Sequence, residues 1–395
     1  MRRVMLTATG VVTGFGSGEQ ALWDGLISNR TCVAPTSAFL DGAAPVARVP
    51  DGLLAPEVER TWSMLHLAAQ QILAAAPWSR VRALAPRRVG VCVGTTQGPI
   101  EQWTHDQRLL ATRPGHRPAL PGLAGPVHHL ARMLDVTGPL ACPSMACASG
   151  TAAIGLAADW LRHDRCDAVV AGGVDALSEL VHAGFHRLRA LDPRVPRPFD
   201  ARRAGLALGE GAGLVLLEAD VDDGVQLTGR GLSSDANHLT GPDPTGSGVV
   251  RAIRAALGRA GLAAGAVDVV SAHGTATVFN DLMEAKAFLQ LFGDERGRTV
   301  PVSSIKGAIG HTMGAAGALE AVLCARVLRE GRLPPTAGLE QQDPQIPLNV
   351  TQGRPLHAAF RVAVSTSSGF GGVNACLVFA IAGEGDDVGV LTPGR

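Results

Sequence analysis

The sequence predicts an α/β fold built from two halves that repeat one plan. Three observations carry the prediction. Short valine-rich apolar runs alternate with helical patterns along the 395 residues, the rhythm of strands covered by helices. RRVGVCVGT at 87–95 and VDVVSAHGT at 267–275 both read as buried strands ending in a turn. Further along lie two alanine-rich helical stretches, ASGTAAIGLAADWLR at 148–162 and GAAGALEAVLCARVLR at 314–329. A strand with a glycine-rich end follows each, DAVVAGG in one half and RVAVSTSSGFGG in the other.

The elements follow in chain order. VMLTATGVV predicts a first strand over 4–12. With Arg2 and Arg3 before it this run imitates a signal peptide, but Gly10, Gly14 and Gly16 interrupt it. Helices are expected over 19–28, where Glu19 suits the positive helix end, and over 62–76. The unbroken apolar run at 88–93 marks a strand covered on both faces. Pro126 opens a helix over 126–134, and a small-residue turn opens another over 150–163. Strands are expected over 168–172 and 213–218. The second of these runs into the acidic turn of VLLEADVDDG near 220–225, which sets the join. The halves are therefore 1–223, carrying Cys147, and 224–395, carrying His273 and His311. In the second half helices are expected over 247–258, 282–292 and 314–329, and strands over 267–273 and 362–366.

Hydrophobic residues make up 46% and the formal net charge is zero, so a large core is feasible and no nucleic-acid footprint shows. The seven cysteines are irregularly spaced with no CxxC pair, which argues against a disulfide framework or zinc knuckle and for reduced thiols. No stretch is long enough to span a bilayer, so a soluble, cytoplasmic protein without membrane insertion is expected. Lysine is limited to Lys286 and Lys306, and the second lies inside a glycine-rich motif.

Cys147 lies in SMACASG, where a loop enters a helix. Small neighbours permit the sharp turn of a nucleophile elbow, and the positive helix end favours thiolate over thiol. His273 in SAHGTAT and His311 in KGAIGHTMGAAG are each flanked by glycine at the analogous edge of one half. One placed nucleophile and two placed imidazoles suggest carbon–carbon chemistry on a thioester. A metal site would need converging ligands, and HGTATVFND offers one histidine before its first acid, so no metal is expected.

In their joint order, GVVTGFGSG, GVCVGTTQG, ACASG, VVAGGVDAL, RPFDARRAGLALGEGAG, SSDANHLTGPDP, HGTATVFND, KGAIGHTMGAAG and SSGFGGVNA resemble the β-ketoacyl-acyl-carrier-protein synthases. These belong to the thiolase superfamily, in the branch with a Cys-His-His triad, and the likeness covers nearly the whole chain. It implies a thiolase-like fold with the two halves in a layered α-β-α-β-α arrangement. It implies that Cys147 accepts an acyl group and that His273 and His311 serve decarboxylation of a malonyl unit. Lys306 and Glu320 would form a supporting pair, and Thr275 and Thr277 would hydrogen-bond a phosphopantetheine arm. Phe370 would gate the nucleophile, Asp235 would lie in the loop that moves with the gate, and Asp281 and Glu284 would be structural acids. The backbone amides of Cys147 and Phe370 would face the oxyanion. No cofactor is implied beyond the phosphopantetheine arm of an acyl carrier protein, which delivers the substrates. The resemblance further implies a dimer, either of identical subunits or with a chain-length-factor-like partner.

Three departures from the pattern stand out, one of them a span between Cys147 and His273 that is somewhat short for the family. Met145 takes the place where threonine is common in fatty-acid members, and Val278 and Phe279 replace the usual Pro and small residue after HGTxT. They favour a specialised type II polyketide or polyene pathway over housekeeping fatty-acid synthesis. A non-catalytic chain-length-factor-type subunit is disfavoured because Cys147, His273 and His311 are all present. A thiolase is disfavoured because the C-terminal glycine motif offers only Cys376, four residues beyond its last glycine.

Overall fold

The structure is a computed structural model and describes residues 1–36, 44–113, 115, 117 and 122–381; the end of the expected C-terminal half, 382–395, lies outside the described residues. Five strands of the first half are β1 (Val4–Thr13), β2 (Val89–Gly94), β3 (Leu140–Ala141), β4 (Ala168–Asp175) and β5 (Gly211–Ala219). Five of the second are β6 (Val225–Ser234), β7 (Val269–Ser271), β8 (Pro301–Ser303), β9 (Val362–Gly369) and β10 (Val373–Ile381). The first five lie side by side in the order β3-β2-β4-β5-β1 and the second five in the order β8-β7-β9-β10-β6.

The two orders are the same once each half is counted from its own start. The pairing sense repeats as well. In each half the second strand runs parallel to the third and fourth. The fourth–fifth and fifth–first pairs are antiparallel in both. A short antiparallel contact between β1 and β6, Met5 opposite Gln226 and Leu6 opposite Val225, joins the sheets. Matched topology of this kind cannot come from shared alanine content, so the halves are a true structural repeat.

Helices α1 (Arg60–Ala74) and α3 (Ser247–Ala260) cover the outer faces of the two sheets, α1 against β1 and β5, α3 against β6 and β10. The corresponding pair α2 (Ser149–Arg162) and α5 (Ala316–Glu330) lies between the sheets and each touches both. That gives five layers, α-β-α-β-α. The inner helices are apolar nearly all round, as a helix covered on both sides must be: Ile154, Ala158, Leu161, Leu319, Val322 and Leu323 are all buried in the central core. Truncating one such leucine to alanine would destabilise by about 2–5 kcal/mol. Small residues set how near α2 and α5 come. A Cβ added at Gly150 would sit 2.6 Å from the Gly314 carbonyl oxygen, and one at Gly317 would sit 1.8 Å from Thr151 Oγ1.

The structure differs from the expectations at several ends. The strand expected over 267–273 closes at Ser271, so His273 stands in the loop beyond it. Helix α4 (Val278–Phe292) begins four residues before the expected 282, because the extended Thr277 (φ −84°, ψ 144°) hands the chain directly into a helix. Strand β6 was not among those expected; its glycine, serine and threonine content masks the alternating burial that it shows over Val225–Gly231. Among the described residues no helix is long and apolar enough to cross a membrane.

Candidate active site

The nucleophile and the first histidine come from two separate turns, and Lys306 and His311 from one further segment, where Lys306 opens the short helix Lys306–Ile309 and His311 follows Gly310. Cys147 stands just before Ala148, the N-cap of α2, and its side chain is buried. Ala146 before it has φ +48°, a left-handed conformation that a non-glycine residue keeps only where the surroundings hold it. Ser149 does the holding: its Oγ donates to the Ala146 carbonyl at 2.6 Å and accepts the Met145 N–H at 2.8 Å. From the other side Gly369 packs against this elbow, where a Cβ would lie 3.0 Å from the Ala146 methyl.

His273 follows β7, and its backbone N–H and that of Gly274 each donate to one oxygen of Glu284, both at 2.7 Å. Asn280 Nδ2 donates to Glu284 at 2.9 Å. Asp281 accepts the Phe199 N–H at 2.8 Å. Burial pushes the Glu284 carboxyl up to about 7 and that of Asp281 up to about 6, against the pull of these donors. His311 is held by its own backbone, donating to Ala207 O at 2.7 Å and accepting from Gly209 N at 2.9 Å. Its Nε2 lies 3.0 Å from Cys147 Sγ. The two imidazoles meet edge to face, with ring centroids 5.3 Å apart and planes at 85°.

The His311 Nδ1 accepts the Met313 N–H at 3.3 Å. A neutral ring nitrogen that accepts carries no proton, so this bond assigns the proton to Nε2, facing the sulfur. Burial holds both rings well below the ordinary imidazole range, and the Lys306 ammonium adds to the effect; for His273 the neighbouring His311 contributes too. Both are therefore neutral near pH 7. Lys306 is buried and ion-paired with the buried Glu320. Ser367 Oγ also donates to Glu320, at 3.4 Å.

The expected thiolate is corrected. Burial pushes the Cys147 thiol up to about 12; Lys306 pulls it down, while Asp175 and Glu320 push it further up. Desolvation of the sulfur outweighs the favourable helix end. The resting sulfur is a thiol, and its negative charge develops during reaction rather than before it.

Cys147, His273 and His311 open onto a cavity of about 410 Å³ whose walls include Thr275, Thr277, Asp235, Phe279 and Phe370. Thr275 Oγ1 and Thr277 Oγ1 lie 2.9 Å apart in one wall. Phe370 stacks on Phe185, with centroids 5.4 Å apart and planes at 22°. Asp235 braces the glycine turn after Phe370: its N–H donates to Gly372 O at 2.7 Å and its carboxylate accepts Asn374 Nδ2 at 2.7 Å. Phe279 lies on the first turn of α4 at the rim, 76% exposed. Cys376 is buried within β10 and is not a wall residue of this cavity. All the sequence-selected site residues thus gather around one cavity or directly beneath it.

Two wall or support residues escaped the sequence reading. Phe185 sits in a polar helical stretch with no motif to mark it. Asp175 ends VVAGGVD, and only its place at the end of a buried strand could have flagged it. Cys147 Sγ and one ring nitrogen of each histidine lie within 4.8 Å of one another, close enough to converge on a metal ion. The buried Lys306 ammonium beside them opposes a further cation there, and no metal is assigned.

The family model described as "Beta-ketoacyl synthase, N-terminal domain" matches residues 37–222, and "Beta-ketoacyl synthase, C-terminal domain" matches 225–340. The chain is 34% identical to Nodulation protein E of Rhizobium meliloti (strain 1021), covering 96% of this chain and 99% of that protein. It is 32% identical to 3-oxoacyl-[acyl-carrier-protein] synthase 2 of Synechocystis sp., covering 96% and 98%. Among solved structures, the ishigamide ketosynthase/chain length factor matches with a TM-score of 0.89 and 31% identity, over 97% of this chain and all of that one. With both family domains matched in order over most of its length, the chain belongs to the β-ketoacyl synthase family of condensing acyltransferases.

Proposed function

We propose that the protein is a ketosynthase that condenses a Cys147-bound acyl chain with a malonyl unit carried on an acyl carrier protein. The observation that carries this reading is the 3.0 Å approach of His311 Nε2 to Cys147 Sγ, with a second neutral imidazole beside it. In the first half-reaction the Cys147 sulfur attacks the carrier thioester, the carbon–sulfur bond to the carrier breaks, and the Cys147 proton passes in net to the departing carrier sulfur, which leaves as a thiol. In the second, malonyl loses carbon dioxide and leaves an enolate. The enolate carbon attacks the acyl–Cys147 carbonyl, the carbon–sulfur bond breaks, and the released sulfur takes up one proton from solvent to return the thiol. Splitting one hard step into two is the advantage of a covalent nucleophile.

Neutral imidazoles suit the second half-reaction because each can donate N–H to the enolate oxygen without first losing a proton. One such fixed donor in a dry site is worth about 2.7–4 kcal/mol of barrier. Burial keeps the rings neutral with Lys306 adding to it, and Glu320 keeps Lys306 from standing unpaired. The amides of Cys147 and Phe370 would receive the oxyanion of acyl transfer. Thr275 and Thr277 would take the phosphopantetheine arm, and Phe370, stacked on Phe185 and braced through Asp235, would open for the incoming chain. Glu284 and Asp281 serve as anchors, since their oxygens are occupied by backbone N–H groups.

The exposed ring of Phe279 at the rim favours a specialised polyketide or polyene pathway, because it stands where the arm must pass. We read the chain as the units 1–223 and 224–395, a division in line with the junction of the two family models. A pair with a chain-length-factor-like subunit is supported by the likeness to the ishigamide ketosynthase/chain length factor; a homodimer is the alternative. The seven free cysteines suit a cytoplasmic setting. The test is mass spectrometry of the protein incubated with acyl and malonyl carriers, alone and with a candidate partner. Acyl mass should appear on the native chain and vanish in Cys147→Ala; acylation that persists on that variant removes the assignment.

A further inference from the structure

The buried side chain of Asp175 touches no reacting atom and was met above only as a charge that pushes the Cys147 thiol up, yet it carries more hydrogen bonds than any histidine or cysteine in the site. It is the last residue of β4, and its carboxylate is fully enclosed. From the turn after β2 it accepts Thr95 Oγ1 at 2.6 Å, Thr96 Oγ1 at 2.7 Å, the Thr96 N–H at 3.0 Å and the Gln97 N–H at 3.2 Å. A fifth donor comes from the other half of the molecule: the Gly314 N–H, at 2.6 Å from Oδ2.

Gly314 directly follows Met313, whose N–H is the donor to His311 Nδ1. Met313 itself has φ +51°, so the turn is held in a conformation an unbranched non-glycine residue adopts only under constraint. Few other groups fix this turn from the nucleophile side. The carbonyl of Gly314 rests where a Cβ at Gly173 would lie 2.2 Å away, which is contact without direction. The Asp175 bond supplies direction: burial pushes the carboxyl up, while the Thr95, Thr96 and Gly314 donors pull it back.

We infer that Asp175 is a positioning residue for the condensation, clamping the Gly314 amide so that the Met313 N–H stays on His311 Nδ1 and the ring keeps its proton on Nε2. The clamp links the half that carries the nucleophile to the half that carries the donor. Without it the Met313 turn relaxes, the ring samples both tautomers, and Nε2–H no longer faces the reacting oxygen. Loading of Cys147 does not require that tautomer, so the two half-reactions separate.

The test uses Asp175→Asn, which keeps the shape of the side chain but replaces one acceptor oxygen by an NH₂ that repels the surrounding N–H donors. Gly314→Ala approaches the same bond from the opposite side, because its Cβ would fall 2.6 Å from Asp175 Oδ2. In folded protein of either variant, acyl loading should fall by no more than about threefold; in Asp175→Asn the loss of a charge that pushes the Cys147 thiol up favours loading. Malonyl decarboxylation should drop about 100-fold in kcat, the scale for a reacting group displaced by about 1 Å, with KM for the malonyl carrier little changed. The ¹⁵N spectrum of labelled histidine should show the His311 ring, assigned by its loss in His311→Ala, move from a single Nε2–H tautomer to a mixture. Parallel loss of both half-reactions, or an unchanged His311 spectrum in both variants, overturns the inference. Should Asp175→Asn not fold, Gly314→Ala alone decides. The inference rests on His311 serving decarboxylation: if His311→Ala decarboxylates normally, that assignment fails, whereas a defective His311→Ala beside a normal Asp175→Asn and Gly314→Ala removes only the clamp.

Discussion

Replacing His311 by alanine is the sharpest test of the division of labour between the two half-reactions. The ring is buried, neutral and bonded at Nδ1 by one backbone N–H at 3.3 Å. Removing it leaves that N–H without its partner, a loss of about 1–3 kcal/mol, within the usual reserve of about 5–15 kcal/mol. The variant should therefore fold. What disappears is one preorganised N–H donor aimed at the site where charge develops, worth about 10²–10³ in rate. Acyl loading loses only a contact to the sulfur, and should fall by about tenfold or less, the worth of a single hydrogen bond. Release of labelled carbon dioxide from malonyl carrier measures one half-reaction; intact-mass kinetics of acyl loading on the same preparation measures the other. Equal losses in both would refute the reasoning, because the donor would then act on a step common to the two.

Three further outcomes follow from the same geometry. Glu320→Ala strands the buried Lys306 ammonium and should destabilise by about 3–5 kcal/mol in urea unfolding, more than Lys306→Met does; a change under about 1 kcal/mol would mean that the pair is not ionised. Because both imidazoles are held well below 6.5, lowering the pH from 8 to 6 should leave them neutral, read directly as unchanged ¹⁵N shifts of the two rings. Any loss of decarboxylation in that window belongs to Glu284, whose carboxyl sits at about 7 beneath His273; a ring that protonates with a half-point near 6.5 would contradict the burial argument. Phe370→Ala removes the stack on Phe185 and should change which acyl chain lengths load fastest; an unchanged loading profile would deny Phe370 a gating part.

Much of this architecture is legible in the sequence because it rests on local signals. The buried strands Val89–Gly94 and Ala168–Asp175 announce themselves as unbroken apolar runs, and the two inner helices as alanine-rich stretches after Cys147 and His311. The glycines around both histidines mark turns that admit backbone close to a reacting centre. What stayed hidden depends on contacts distant in sequence. The thiol was expected to ionise because the helix end is a local feature, whereas its desolvation comes from elements spread over more than two hundred residues. Asp175 and Phe185 acquire meaning only through Gly314 and Phe370, and nothing near them in the chain hints at those partners. Strand β6 was lost for a related reason: its pattern is set by the sheet it completes, and Gly229 and Gly231 inside it blur the alternation.

The close passage of the two inner helices bears on how such a site endures change. Where Gly150 faces the Gly314 carbonyl and Gly317 faces the Thr151 hydroxyl, the spacing between the inner helices is gauged by backbone and by the shortest side chains. No cavity-wall residue serves as the spacer there, so substitutions in the surrounding walls need not alter the distance over which carbon–carbon bond formation takes place. The rim residues Val278 and Phe279 lie outside that ruler. A lineage could therefore exchange one substrate chain for another by rewriting the rim while the reacting atoms keep their separation.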